Sequence, residues 1–173
     1  LFSLLRPAAF RSPPSTTGDL EAAIRIAMAQ DSADANLVRM GDKRLMFSES
    51  GNAFIMYGIQ GRSWITLFDP VGAPNETADL VWRFVEEARA QGGRAVFYQI
   101  SPDLLSHCAD AGLRAFKLGE LAIVDLTRFD LKGSRLASLR QAVNKGAREG
   151  LEFSVIDQPE VMASIEDLKE VSD

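Results

Sequence analysis

The sequence has very little cysteine and histidine. Of its 173 residues, one is cysteine, Cys108, and one is histidine, His107. A single cysteine cannot form a disulfide within the chain, which indicates a reducing compartment. A Cys/His zinc site within one chain is excluded, because such a site needs several ligands of these two types. The two residues are adjacent, so on a helix they point about 100° apart and do not form a nucleophile–base pair.

Long apolar runs and an excess of positive charge are also missing. The longest apolar stretches, such as Ala53–Tyr57, are far shorter than the ~18 residues that a membrane span needs. The net charge of −5 argues against a protein that coats nucleic acid without selectivity. What is present is 46% hydrophobic and 25% charged residues, the usual balance of a globular domain.

The order of hydrophobic patterns predicts a mixed α/β (α+β) fold. Alternating apolar residues predict an antiparallel meander of three strands, at Lys43–Ser48, Ala53–Gln60 and Ser63–Phe68. Helical periodicity predicts a helix before the meander and one after it, followed by a buried strand. These three elements are expected at Asp19–Gln30, Glu76–Gln91 and Arg94–Ile100.

Further elements are predicted in the second part of the chain. A helix is expected to start at Ser101, as its N-cap, and to end at Gly112, and it is followed by strands at Leu113–Lys117 and Leu121–Leu126. After these come a basic helix at Ser134–Glu149, a strand at Leu151–Ile156 and a last helix from Pro159 onward. The whole order resembles the GNAT acyltransferase fold, a mixed, mostly antiparallel sheet flanked by helices. Fold alone does not give function.

The coenzyme A loop of that fold is missing. The loop reads [Gln/Arg]-x-x-Gly-x-[Gly/Ala], and its backbone amides hold pyrophosphate at a helix N-terminus. The nearest string, Arg89–Arg94, fails at its last position and lies at a predicted helix C-terminus, where the helix dipole repels phosphate. An acetyl-CoA enzyme is therefore disfavoured, and no cofactor is expected.

Five polar residues at predicted turns and strand ends are candidates for a substrate site. Arg62 lies at a tight hairpin, Asp69 follows the next strand, and Tyr98 lies near the end of a central strand, where α/β sheets place ligands. Lys117 and Glu120 flank a predicted strand junction. Structural alternatives stay open for all of them: turn chemistry, a core aromatic, and a surface ion pair.

The segment from Lys132 to Arg148 is unusual in charge. It contains five basic residues and no acidic one: Lys132, Arg135, Arg140, Lys145 and Arg148. On the predicted helix, three of them form an exposed strip opposite an apolar face of Leu136, Leu139 and Val143; these three are Arg140, Lys145 and Arg148. Such strips bind the phosphates of RNA or anionic lipid head groups. Both partners stay open, beside a merely solvated helix face.

Nine short strings along the chain together resemble a known family. They are Ala33–Leu37, Gly41–Arg44, Phe47–Gly51, Ala53–Gly58, Gly61–Ile65, Asp69–Gly72, Gly92–Gln99, Phe116–Glu120 and Leu139–Ala142. In this order and spacing they are similar to the cytosolic domain of bacterial phosphatidylglycerol lysyltransferases, the multiple-peptide-resistance or low-pH-inducible family. The resemblance covers about residues 1 to 173.

The resemblance implies a transferase reaction at a membrane. Members transfer an amino acid, usually lysine, from aminoacyl-tRNA to a glycerol hydroxyl of phosphatidylglycerol, which gives a cationic lipid. The parent proteins are integral proteins of the cytoplasmic membrane and end in a cytosolic domain of two GNAT-like halves. The missing coenzyme A loop fits, because the donor is an activated ester on tRNA; neither coenzyme A nor a metal is an expected partner.

The resemblance also implies a division of the chain. Residues 1–131 would be the first GNAT-like half, residues 132–150 a basic linking helix, and residues 151–173 the start of a truncated second half. The chain ends within a predicted helix, so we expect a piece of a longer protein. The resemblance places the principal catalytic residues in the second half. They are therefore expected outside this chain, which alone is expected to be inactive.

One departure from the family leaves the transferred amino acid open. After Lys117–Glu120 the family usually has a second Glu, whereas this chain has Leu121. An acidic pair there would suit recognition of the donor's ammonium group. Two alternatives to the lipid aminoacyltransferase remain. One is a Fem-like, tRNA-dependent transferase that acts on peptidoglycan precursors or proteins, and the other is a non-catalytic GNAT-like binding module.

Overall fold

A computed structural model describes residues 15–172 of the chain, so the opening residues of the predicted half 1–131 lie outside the described range. The chain forms two compact units, the first ending at Leu118 and the second beginning at Gly119. The first unit contains the described sheet and three helices, and the second contains helices and their connecting segments.

The elements of the first unit follow the predicted order. They are helix α1 (Thr17–Met28), strands β1 (Arg44–Phe47), β2 (Ala53–Gln60), β3 (Ser63–Leu67) and β4 (Val71–Gly72), helix α2 (Thr77–Ala90), strand β5 (Arg94–Tyr98) and helix α3 (Leu105–Asp110). Short 3₁₀ turns occur at Asp34–Met40, Pro74–Glu76 and Pro102–Leu104. The second unit contains a 3₁₀ turn at Ser134–Leu136 and helices α4 (Ala137–Arg148), α5 (Gln158–Ala163) and α6 (Ile165–Ser172).

The sheet confirms the predicted meander and mixed topology. Its strand order is β1-β2-β3-β5, and the pairs β1–β2 and β2–β3 are antiparallel. Strand β5 pairs in parallel with β3, and α2 forms the crossover between them. The short strand β4 pairs with the start of β2, where Ala53 lies opposite Gly72 and Phe54 opposite Val71. The sequence predicts only a turn at β4.

Helices cover both faces of the sheet because side chains alternate along each strand. On one face, Phe54 and Met56 pack against α1. On the other, Ile55 and Tyr57 pack against α2. Helix α3 lies on the same side as α2, where Cys108 is buried against Val85. The predicted fold class, a mixed α/β sheet flanked by helices, is confirmed.

The starts of α1 and of the turn before α3 differ in how they are capped. The N-cap of α1 is Thr16, before the predicted start of this helix at Asp19: its Oγ1 accepts from the Asp19 N–H at 3.1 Å, and the Asp19 carboxylate accepts from the Thr16 N–H at 2.9 Å. This reciprocal arrangement satisfies two N–H groups at the start of the helix. Ser101 is the N-cap residue of the 3₁₀ turn that leads into α3, with Pro102 directly after it as predicted, but its side chain makes no capping hydrogen bond.

Three predicted strands do not form among the described residues. They are Leu113–Lys117, Leu121–Leu126 and Leu151–Ile156, none of which is paired with another strand. Their apolar side chains are exposed instead, as Phe116, Ile123 and Phe153 illustrate. A strand is stabilised by a neighbour that bonds its backbone and covers its apolar face, and alternation in the sequence supplies neither.

Candidate functional site

The carboxyl ends of β3 and β5 lie side by side and have unusual backbone geometry. Each strand is followed by a non-glycine residue in the left-handed region, Phe68 with φ 62° and Gln99 with φ 57°. The Phe68 N–H donates to the Tyr98 carbonyl at 2.9 Å, so both strands turn at the same level. Such conformations cost of order 1–3 kcal/mol each. This edge of a parallel strand pair is where α/β sheets bind ligands.

Asp69 lies at this edge and is engaged with the protein itself. One carboxylate oxygen accepts from the Ser101 N–H at 2.8 Å, and the other accepts from the Ser101 hydroxyl. The end of β3 is thereby tied to the start of the 3₁₀ turn that leads into α3. The Ser101 hydroxyl thus bonds Asp69 and makes no capping bond to the turn that follows. The bonding of Asp69 therefore supports the structural alternative.

Cys108 is buried near Asp69 and is not a nucleophile. Burial, with a smaller contribution from the negative charge of Asp69, raises the pKa of the Cys108 thiol to about 11. A thiol with a raised pKa stays protonated at neutral pH, and the thiolate is the reactive form. A buried, protonated thiol agrees with the prediction that Cys108 and His107 do not form a nucleophile–base pair.

Arg62 lies at the opposite end of β3 from Asp69. Its guanidinium donates to the Gly92 carbonyl through Nε at 2.8 Å and also through Nη2. The Arg62 carbonyl accepts from the Arg94 N–H at 2.9 Å. Arg62 thus ties the β2–β3 hairpin to the C-terminal end of α2. The structure does not bring Arg62 and Asp69 together into one site.

Tyr98 borders an open cleft of about 320 Å³ over β2 and β3. The ring of Tyr98 is partly exposed, so it is not the core aromatic that one alternative predicted. Two charged residues of the cleft neutralise each other, because Lys43 Nζ lies 2.7 Å from Asp42 Oδ1. The other lining residues are uncharged: Tyr57, Gly58, Ile59, Gln60, Ile65, Thr66, Leu67 and Tyr98. Sequence reasoning found only Tyr98 of this set.

A glycine within a strand was the signal that sequence reasoning did not use. Gly58 interrupts an otherwise apolar strand, and an isolated glycine in such a pattern suggests close approach of a ligand or backbone. Lys117, another predicted site residue, does not line the cleft. Glu120 belongs to the second unit, and its role stays a prediction.

The basic helix α4 differs from the predicted strip in one position. Arg140 is half-buried, and its Nη1 donates to the carbonyls of Leu131 and Gly133, the latter at 2.6 Å. It therefore holds the loop before the helix. Lys145 and Arg148 are exposed, as predicted, and Lys145 lies 3.6 Å from a Glu149 carboxylate oxygen in an exposed pair.

The described range contains neither a cluster of metal ligands nor a helix that could span a membrane. Within residues 15–172, no three side chains of His, Cys, Asp or Glu lie together in a way that would hold a metal ion. The helices of this range are too short or too polar to cross a bilayer.

Comparison with known proteins identifies the family. The family model described as "Phosphatidylglycerol lysyltransferase, C-terminal" matches residues 24–173. The chain belongs to the phosphatidylglycerol lysyltransferase family. Its relatives include the phosphatidylglycerol lysyltransferase of Bacillus subtilis, 39% identical over 134 residues, which are 78% of this chain and 16% of that protein. The enzyme of that name from Staphylococcus epidermidis is 35% identical over 80% of this chain and 16% of its own length.

Solved structures show that the phosphatidylglycerol lysyltransferase fold extends over this chain. A C-terminal domain described as belonging to a lysylphosphatidylglycerol synthetase of Agrobacterium fabrum is 67% identical, with a TM-score of 0.85 over 92% of this chain and 50% of its own. L-PGS from Bacillus licheniformis is 30% identical, with a TM-score of 0.74 over 95% of this chain and 50% of its own. The chain thus spans half of these solved chains and about a sixth of the curated relatives. The predicted family is confirmed.

Proposed function

We propose that this chain is part of a membrane enzyme that transfers an amino acid, with lysine as the first candidate, from aminoacyl-tRNA to phosphatidylglycerol. The family match over residues 24–173 is the observation that carries the proposal. The chain covers only part of its relatives, so the activity belongs to the longer protein. Its membrane attachment lies in that longer protein as well.

The transfer reaction requires that the two substrates are oriented, more than that the aminoacyl donor is activated. The aminoacyl ester of tRNA is already a good acyl donor. A glycerol hydroxyl oxygen of the lipid attacks the ester carbonyl, loses its proton, and displaces the tRNA hydroxyl. No covalent enzyme intermediate is needed, so the protein must position the two substrates and stabilise the developing oxyanion. The buried, protonated thiol of Cys108 fits this scheme, because no thiol nucleophile takes part.

The proposal is tested by assaying the full-length protein that contains this chain. With radiolabelled lysyl-tRNA and phosphatidylglycerol vesicles, we expect a labelled cationic lipid on thin-layer chromatography. Free lysine should give no product, and neither should the 173-residue chain alone, because its catalytic partners lie elsewhere. Absence of labelled lipid from the full-length protein would refute the proposal. Label on a peptidoglycan precursor instead would establish the Fem-like alternative.

The exposed cationic side chains of the 134–148 segment are expected to contact tRNA phosphates in the full-length protein. Replacing them with Gln should weaken tRNA binding, and each lost phosphate contact should reduce the slope of log affinity against log salt by about 0.7–0.9. The three positions are Arg135, Lys145 and Arg148, all exposed. Fluorescence anisotropy with labelled tRNA at several salt concentrations measures the slope.

The matched control variant removes positive charges from the first unit instead of from the 134–148 segment. Arg25 and Arg39 are exposed cations of the first unit, and their replacement with Gln should leave the slope unchanged. Arg140→Gln is expected to lower stability instead, because its guanidinium bonds two carbonyls. An equal slope in the triple variant and the wild type would exclude the 134–148 segment as the tRNA contact. Loss of binding to anionic vesicles with tRNA binding intact would assign the cations to lipid.

A further inference from the structure

Gln99 has a backbone conformation that favours glycine. Its φ is 57°, and the other non-glycine residue with a positive φ within residues 15–172 is Phe68, at 62°. In this left-handed region a Cβ is strained against the backbone, whereas glycine has no Cβ and adopts the region freely. Glycine fills comparable turns of this chain, as at Gly92 and Gly112. A glutamine in this conformation therefore calls for a reason.

The two strained residues differ in what their side chains do. Phe68 packs against the hydrophobic cluster that includes Phe54 and Met56, and the burial of an aromatic ring offsets the strain of its backbone. Gln99 is exposed, and its side-chain amide forms no hydrogen bond to any part of the chain that the structure describes. The packing that accounts for Phe68 does not account for Gln99.

The backbone of Gln99 is fixed from both sides. On one side, the Tyr98 carbonyl accepts from the Phe68 N–H at 2.9 Å. On the other side, the Ser101 N–H donates to the Asp69 carboxylate at 2.8 Å. Strained residues persist where the surrounding structure over-determines them, and they concentrate at functional sites. The bonds of its neighbours thus hold Gln99 in a conformation that its own side chain does not stabilise.

The place of Gln99 in the fold and the chemistry of its side chain suit contact with a substrate. Gln99 lies at the carboxyl ends of the parallel pair β3 and β5, where α/β sheets bind ligands. A primary amide donates through its nitrogen and accepts through its oxygen, so it can bond a hydroxyl group or an ester carbonyl. The proposed transfer involves one group of each kind, the glycerol hydroxyl of the lipid and the ester carbonyl of the aminoacyl donor.

We propose that the amide of Gln99 contacts a neutral oxygen group of a substrate, either the glycerol hydroxyl of the lipid or the ester carbonyl of the aminoacyl donor. The identity of the substrates rests on the proposed function, whereas the choice of Gln99 rests on its backbone conformation and its exposed amide. Glycine would form this turn with less strain, but it would present no amide at the strand ends.

Two substitutions separate the backbone of Gln99 from its side chain. Gln99→Gly removes the strain, so the Tm of the 173-residue chain should rise by about 2–4 °C. Gln99→Ala keeps the strained backbone and removes only the amide, so its Tm should stay within about 1 °C of the wild type. Gln30→Gly is the matched control, because Gln30 follows α1 and its φ is not positive; its Tm should fall. A lower Tm in Gln99→Gly, or a clear loss in Gln99→Ala, would assign the side chain to the fold and overturn the proposal.

The enzyme assay measures the contact itself. In the full-length protein, both Gln99 variants should lower kcat/KM by about three- to tenfold, the effect of one lost hydrogen bond between uncharged groups. Gln30→Gly should leave it unchanged. A higher KM for phosphatidylglycerol alone would assign the contact to the glycerol hydroxyl, and a higher KM for aminoacyl-tRNA alone would assign it to the ester carbonyl. A lower kcat with both KM values unchanged would mean that the contact forms only in the transition state.

The same assay distinguishes failure of this inference from failure of the proposed function. If the wild type forms no aminoacylated lipid, the proposed function is refuted, and the substrates named for Gln99 are refuted with it. If the wild type forms product and both Gln99 variants match it in kcat and in the two KM values, only the inference about Gln99 is refuted.

Discussion

Replacing Phe84 with alanine is expected to lower the free energy of unfolding by about 4 kcal/mol. Phe84 lies on α2 with no exposed surface. Its ring contacts Tyr57 at 5.2 Å, Trp64 at 5.9 Å and Phe97 at 5.4 Å, all edge to face. One truncation therefore removes three aromatic contacts and leaves a cavity between α2 and three strands. Urea unfolding followed by tryptophan fluorescence measures the loss.

The control for this prediction lies on the same helix. Trp82 is 42% exposed, so Trp82→Ala removes an even larger ring from α2 without opening an internal cavity. Its cost should stay below about 1 kcal/mol, as for most surface substitutions. Equal losses for the two variants would mean that helix propensity, and not the aromatic cluster, sets the stability of this region.

Replacing Gly72 with alanine is also expected to be severe, at about 4 kcal/mol. Gly72 has φ 122°, a region that L-residues rarely adopt. A Cβ there would lie 2.2 Å from the Asn52 carbonyl oxygen and 2.6 Å from the Ala53 Cα. Both are backbone atoms, so relief requires that β4 separates from β2. Thermal unfolding monitored by circular dichroism would report the loss.

Gly51 separates the cost of the left-handed backbone from the cost of the steric overlap that a side chain at Gly72 would cause. Gly51 has φ 75°, but a Cβ there meets nothing within 4 Å. Gly51→Ala carries only the cost of the left-handed backbone, about 1 kcal/mol. A loss at Gly72 no greater than at Gly51 would show that backbone conformation alone matters and that the close approach of β4 to β2 is relaxed at little cost.

The elements that were predicted well are those with strong local signals. Strand β2 begins and ends at the predicted residues, because apolar residues fill it and turns bound it on both sides. Helix α2 differs by one residue at each end, since its apolar stripe and the glycines after it are both local. Strand β4 was missed, because Asp69–Gly72 carries the signals of a turn and the partner in β2 is distant in sequence.

The site residues stay a prediction for a physical reason. A polar side chain at a turn bonds either to a ligand or to the protein, and the sequence does not say which. The bonds of Arg62 to Gly92 and of Asp69 to Ser101 span 30 and 32 residues along the chain. Tyr98 was named as a candidate because strand ends are a general location for ligands, and the structure places it at the border of the cleft. The cleft beside it depends on which part of the sheet face α1 covers, and that is a property of the packed fold.

The change of partner along β2 has a consequence for motion. In the described sheet, β1 and β5 each have one bonded neighbour, whereas β2 is bonded to β1 on one side and to β3 and β4 on the other. Fraying therefore starts at the outer strands and reaches β2 last. Strand β4 keeps the start of α2 attached to this persistent strand, while β5, which carries Tyr98, loosens first. We therefore expect amide hydrogen exchange to be faster in β5 than in β2.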